Sequence, residues 1–121
     1  MMSEKNIVLN KSFDFAVRIV KLYKFLCNEK KEYILSKQLL RSGTSIGANI
    51  NEAQAAQSRA DFASKISIAS KEARETKYWI DLLIETEYLN INDNHVKSLL
   101  EETEEIIRIL TSIVKTSKEN K

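Results

Sequence analysis

The chain has no proline and only two glycines in 121 residues. Proline and glycine end helices and make tight turns, so their scarcity excludes a turn-rich β fold and predicts a few long helices. A single cysteine, Cys27, excludes an internal disulfide and fits a reducing, cytoplasmic setting. Cys27 stands among helix-spaced apolar residues and reads as a small packing residue. The one histidine, His95, leaves little room for imidazole chemistry. No apolar run approaches the roughly 20 residues that span a bilayer, and Met1 to Asn6 lacks the apolar core of an export signal. No membrane partner is expected.

What remains is a chain for one domain, long enough to bury a real core. Its formal net charge is only +2, but the charge is unevenly spread. Residues 1–60 carry ten Lys and Arg against five Asp and Glu, and residues 61–121 carry nine against twelve. A basic front half is compatible with a polyanionic partner.

Periodicity predicts four helices, at about 12–29, 33–57, 59–89 and 93–116. Ser12 is a candidate cap for the first, because its hydroxyl can accept an unpaired first-turn N–H. On that helix Phe13, Ala16, Val17, Val20, Tyr23 and Cys27 form one apolar face, and Phe15, Ile19, Leu22 and Leu26 form another beside it. One bundle core needs a stripe of little more than 100°. The surplus predicts a second buried surface and hence self-association, with Phe15, Ile19, Leu22 and Leu26 assigned to the oligomer interface.

The second helix repeats Leu35, Leu39, Gly43, Ile46, Ile50 and Ala53 at spacings of three and four, a bundle seam. Gly43 and Gly47 lie one turn apart and permit close backbone approach. Ser58 with Asp61 three residues on is a variant capping box that opens the third helix. Its seam is Phe62, Ile66, Ala69, Ala73, Thr76, Ile80 and Leu83. The turn Asn90-Ile91-Asn92-Asp93 supplies caps for the fourth, whose expected seam is Val96, Leu100, Thr103, Ile107, Leu110 and Val114. Short links make sequential neighbours antiparallel. The predicted fold is all-α, an antiparallel up-down-up-down four-helix bundle.

Reaction chemistry finds little purchase. A carboxylate-bridged di-metal bundle needs two Glu-x-x-His pairs, and no Glu stands three residues before His95, so no metal site is expected. Serines are plentiful, but no Gly-x-Ser-x-Gly turn is present. Arg41-Ser42-Gly43-Thr44-Ser45-Ile46-Gly47 lacks the Lys-Ser/Thr that follows the last glycine of a phosphate-cradling loop. The reading is a non-enzyme with no catalytic residues and no cofactor. Folding back at Ser58 puts Arg41 near Glu75 and Ser42 near Arg74, so Arg41 should pair with Glu75 or Glu72. Trp79 and Tyr78 point to different faces, one for the core and one free for an interface. The arc Lys11, Arg18, Lys21 and Lys24, extended to Arg41, is the candidate nucleic-acid surface, charge-driven rather than sequence-reading.

The runs Leu40 to Ala53 and Lys71 to Leu83 resemble a bacterial four-helix-bundle family first named for reading frames in intervening sequences of 23S rRNA genes. The resemblance covers roughly residues 8 to 115. It implies an antiparallel bundle assembled as a homopentameric ring. It extends to the accessory variability determinant proteins of diversity-generating retroelements, basic pentamers that bind nucleic acid and a reverse transcriptase. Carried over by position, the motif residues are Arg41, Ser45, Asn49, Glu52, Glu75 and Trp79, read as a structural polar network. The expected function is a ring-forming scaffold that binds RNA or DNA without sequence specificity. The rival expectation is a protein-interaction adaptor, its partner encoded nearby, with no nucleic-acid binding.

Overall fold

The computed structural model describes residues 4–119. Four helices run in chain order: α1 (Glu4–Asn28), α2 (Leu35–Ala53), α3 (Arg59–Glu85) and α4 (Asn94–Glu119). Among the described residues there is no strand, and no helix is long and apolar enough to cross a membrane. Each helix packs on its sequence neighbour and α4 packs back on α1, while among the described residues the diagonal pairs show no close backbone approach. The result is a four-helix bundle around one core.

The first helix begins eight residues before the expected start. Ser12 is not a cap: it lies fully buried in mid-helix, its Oγ donating to the Leu9 carbonyl at 2.9 Å. Its small size serves packing. A Cβ added to Gly47 would come within 3.3 Å of the Ser12 carbonyl oxygen. One turn away on α2, a Cβ on Gly43 would sit 2.8 Å from both γ carbons of Ile19. Two glycines therefore let α1 and α2 approach closely, which repays the roughly 1 kcal/mol each costs in a helix interior.

That approach decides the two faces of α1. Phe15, Ile19 and Leu26 are fully buried in their own chain, and Leu22 is partly buried against the same core. Their assignment to an oligomer interface is corrected: they are the protomer's own core. The residues left outside belong to the other face, with Phe13 69% and Val17 40% exposed. The surplus of apolar circumference is real, but it faces the other way.

Helix α2 buries Leu39, Gly43, Ile46, Ile50 and Ala53 as the spacing predicted, together with Ser36 and Ser42. It spans less than the expected 33–57 because Glu32 fixes its start and the chain leaves the helix at Gln54. Helix α3 buries Ile66, Ala69, Ala73, Thr76, Ile80 and Leu83, with Phe62 half-buried. It opens on Ser58, whose side chain accepts the Asp61 N–H at 3.0 Å, while the Asp61 carboxylate accepts the Gln57 N–H. It ends at Glu85 rather than 89. Glu87 takes a left-handed φ of 68°, and the Glu87 and Tyr88 N–H groups close on the Ile84 and Leu83 carbonyls. This hydrogen-bond pattern stops a helix, usually with glycine at the left-handed position.

Asp93 caps α4, accepting the His95 N–H at 2.7 Å. The seam of α4 is Val96, Leu99, Thr103, Ile106, Leu110 and Ile113, and the expected Leu100, Ile107 and Val114 lie on its half-buried flank. Every buried hydroxyl has a partner: among the described residues no buried side-chain nitrogen or oxygen is left without a hydrogen bond.

Candidate functional site

The basic arc of α1 faces α4, and α4 is acidic there. Lys11 Nζ lies 2.7 Å from Glu105 Oε1, and that hydrogen bond holds its ammonium above the ordinary lysine pKa against partial desolvation. Arg18 Nη1 meets Glu102 Oε2 at 2.8 Å and Ser98 Oγ at 3.2 Å, and Nη2 donates to the His95 carbonyl at 3.0 Å. Two of the five proposed nucleic-acid cations are thus already neutralised. A third, Arg41, is held by Glu72 at 3.1 Å and by Glu75. Of the five, Lys21 and Lys24 are the two that stand exposed without an ion pair among the described residues.

The Arg41 cluster joins α2 to α3 through an ion-paired network. Arg41 lies between Glu72 and Glu75, as the fold-back at Ser58 required. Trp79 Nε1 donates to the same Glu75 Oε2 at 3.0 Å, so one carboxylate oxygen serves a guanidinium and an indole. The Trp79 ring is half-buried against the core, while Tyr78 is exposed and touches it edge-on, with centroids 5.0 Å apart. Beneath the cluster, Thr76 Oγ1 donates to Ser42 Oγ at 3.0 Å, a buried link between α2 and α3. Ser42 therefore meets Thr76 and not Arg74. Arg74 turns to α4 and donates to Thr111 Oγ1 at 2.9 Å.

The remaining motif residues do not join this network through their side chains. Ser45 Oγ donates to the Arg41 carbonyl at 2.6 Å and Asn49 Nδ2 to the Ser45 carbonyl at 2.9 Å, both within α2. Glu52 is exposed and lies 3.6 Å from Lys65 of α3. The six motif positions are therefore one linked trio, two helix-backbone contacts and one surface ion pair.

The sequence reading missed Glu32. Its carboxylate accepts the N–H groups of Ile34, Leu35 and Ser36 at 3.2, 3.1 and 2.7 Å, and its carbonyl accepts Ser36 Oγ at 2.7 Å. It closes the start of α2 from three residues upstream. Burial pushes its carboxyl pKa up, but the three backbone N–H bonds outweigh that and hold it below the ordinary glutamate value. The signal was present in the position of Glu32 just ahead of the helix, where a carboxylate can accept the unpaired first-turn N–H groups.

His95 lies exposed at the start of α4, as expected. Cys27 is half-buried on the opposite seam, 3.8 Å from Ser36 Oγ. Among the described residues no group of three His, Cys, Asp or Glu is arranged to hold a metal.

The family model for the 23S rRNA-intervening sequence protein matches residues 4–112. Among solved structures, the chain is similar to a protein with unknown function from the S23 ribosomal protein family of Bacteroides thetaiotaomicron. The two are 57% identical, over 93% of this chain and 99% of that chain, with a TM-score of 0.88. No curated protein gives a significant match. Four helices, an α2 run from Leu40 to Ala53 and an α3 run from Lys71 to Leu83 locked together by Arg41, and a family match over nearly the whole length lead to one conclusion. The chain belongs to the family of 23S rRNA-intervening sequence proteins.

Proposed function

We propose that this chain is a non-enzymatic scaffold that assembles with copies of itself into a ring. One observation carries the reading: Phe13 is 69% and Val17 40% exposed on one side of α1, while the Phe15 side fills the core. Large apolar side chains grouped on one helix face call for a partner surface, and a second copy is the partner always at hand. The protomer entering that ring is an up-down-up-down bundle. Support comes from α2 and α3, where Glu52 near the link meets Lys65 and Arg41 farther away meets Glu75. The ring of five is what the family resemblance implies, and the lone Cys27 suits a cytoplasmic setting.

The non-enzymatic part is supported by where the chain's one imidazole and one thiol lie. His95 and Cys27 sit on opposite seams of α1 and do not converge.

Non-specific contact with RNA or DNA is the second element of the proposal. It rests on Lys21 and Lys24, the part of the arc that α4 does not neutralise. Ring symmetry would repeat these two lysines around the assembly, and binding would weaken steeply with salt.

Light scattering across micromolar concentrations tests the assembly, with Phe13→Glu expected to dissociate it while the fold is kept. A wild-type monomer throughout that range discards the ring. A gel shift with RNA at about 50 mM salt, where phosphate contacts are strong, tests the second element. An assembled ring that retains no nucleic acid leaves the adaptor reading, in which the same helices meet another protein.

A further inference from the structure

Where α1 leaves α4, the bundle does not close. A cleft of about 450 Å³ opens between the second half of α1, the α3–α4 link and the start of α4. That volume falls within the range of about 300–1,000 Å³ typical of small-molecule sites. Its floor is core. Leu89, Val96 and Leu99 all line it, and with Ile113 they are the larger core side chains that keep more than 2% exposure. The cleft is therefore an opening onto the hydrophobic interior, with Leu22 and Phe25 of α1 as its other apolar wall.

The rim carries the opposite character. Arg18, Lys21, Lys30, Asp93 and His95 surround the opening. Arg18 is committed to Glu102, Ser98 and the His95 carbonyl, so it acts as a fixed strut whose charge is already matched. Asp93 is occupied in capping α4. Lys21 and Lys30 have no ion pair among the described residues, and Lys30 Nζ rests 5.9 Å over the Phe25 ring. Two unmatched ammonium groups thus stand at the mouth of an apolar hole.

From this arrangement we propose that the cleft binds a small amphipathic anion. Its acyl or aryl body lies on Leu89, Val96 and Leu99, and its carboxylate or sulfonate meets Lys21 and Lys30. The apolar depth sets it apart from a phosphodiester track, which needs an open groove and no greasy floor. The site is separate from the exposed Phe13 face and does not depend on ring formation.

His95 is the chain's single histidine and sits on the rim, so its imidazole resonances report on the cleft without ambiguity. The full chain is titrated with decanoate below its micelle concentration, and in parallel with decyltrimethylammonium, which has the same tail and the opposite charge. Decanoate is expected to shift the His95 signals saturably, to displace anilinonaphthalenesulfonate fluorescence, and to bind at least about tenfold more tightly than the cation. The double variant Lys21→Glu/Lys30→Glu, made entirely at exposed positions, should lose about tenfold or more in decanoate affinity with unchanged thermal unfolding. Leu22→Trp, which places an indole in the cleft, should abolish binding.

The proposal is overturned if both head groups bind equally, or if the lysine reversals leave decanoate affinity unchanged. It is equally overturned if Phe13→Glu removes the binding that Leu22→Trp leaves intact. A change of oligomeric mass on decanoate binding would make the cleft a contact between copies instead, and would also refute it.

Discussion

Helix α1 meets its two neighbours by opposite means. Against α2 it lies close, with Ile19 seated where Gly43 has no side chain and Ser12 beside Gly47. Against α4 it stands off, bridged by the long side chains of Lys11 and Arg18 to Glu105 and Glu102. Dispersion and burial hold the first seam, and these are short-ranged, not screened by salt and intolerant of added volume. Partly exposed ion pairs hold the second, each worth little and weakened by salt. The consequence is spatial as well as energetic: the close seam leaves no room, and the bridged one leaves a cleft. A bundle can thus be rigid on one side and accessible on the other while using a single helix for both.

The widest separation between the seams should come from Phe15→Ala. Phe15 is fully buried, and removing it should cost about 3–5 kcal/mol in chemical denaturation. Phe13→Ala, two residues away on the exposed face, should change protomer stability by no more than about 0.5 kcal/mol. Equal effects would mean that the two faces of α1 had been told apart wrongly.

Gly43→Val comes next, with an expected loss of about 3 kcal/mol, because its side chain would enter space held by the branched and stiff Ile19. Gly43→Ala sharpens the point. Alanine gains about 1 kcal/mol of helix propensity, and a net loss despite that gain would show the contact at 2.8 Å to be unyielding.

A smaller effect belongs to the Glu32 cap. Glu32→Gln should cost about 1 kcal/mol at neutral pH. The native carboxyl titrates below its unfolded value, so its contribution is fully present above the ordinary glutamate pKa. It is lost as pH falls through the lower folded value. Denaturation between pH 6 and pH 3 should therefore show a steeper acid loss in the wild type than in Glu32→Gln.

Arg18→Met should have the smallest effect, under about 1 kcal/mol after allowance for its solvent exposure. Its effect should vanish near 1 M salt, where screening acts over about 3 Å. A loss that survives high salt would mean that the α1/α4 seam is packed as tightly as the α1/α2 seam.

The residues that could be read in advance are those governed by local rules. The Ser58 cap with Asp61, the α2 and α3 seams, the Arg41 pairing and the Asp93 cap all follow from spacing along one or two helices. The α4 seam was half legible. Val96, Thr103 and Leu110 were assigned correctly, but a repeat of three and four leaves two candidates between each pair, and only the flanking helices choose Leu99, Ile106 and Ile113. Ser12 misled because a small polar residue before an apolar run suits a cap and a close helix crossing equally well. The basic arc misled for a related reason. Lys11 and Arg18 are indistinguishable along the chain from solvated cations until Glu105 and Glu102 are found opposite them.

Sequence alone determined that the chain makes four helices, roughly where they run, and that α1 has more apolar surface than one core requires. Helical periodicity and capping act within a few residues, so they are written locally. Only the tertiary structure decided which face of α1 is core, which cations are matched and where the bundle stays open. Those outcomes depend on which side chains meet across helices dozens of residues apart, and the glycine gaps of α2 fix that meeting in space.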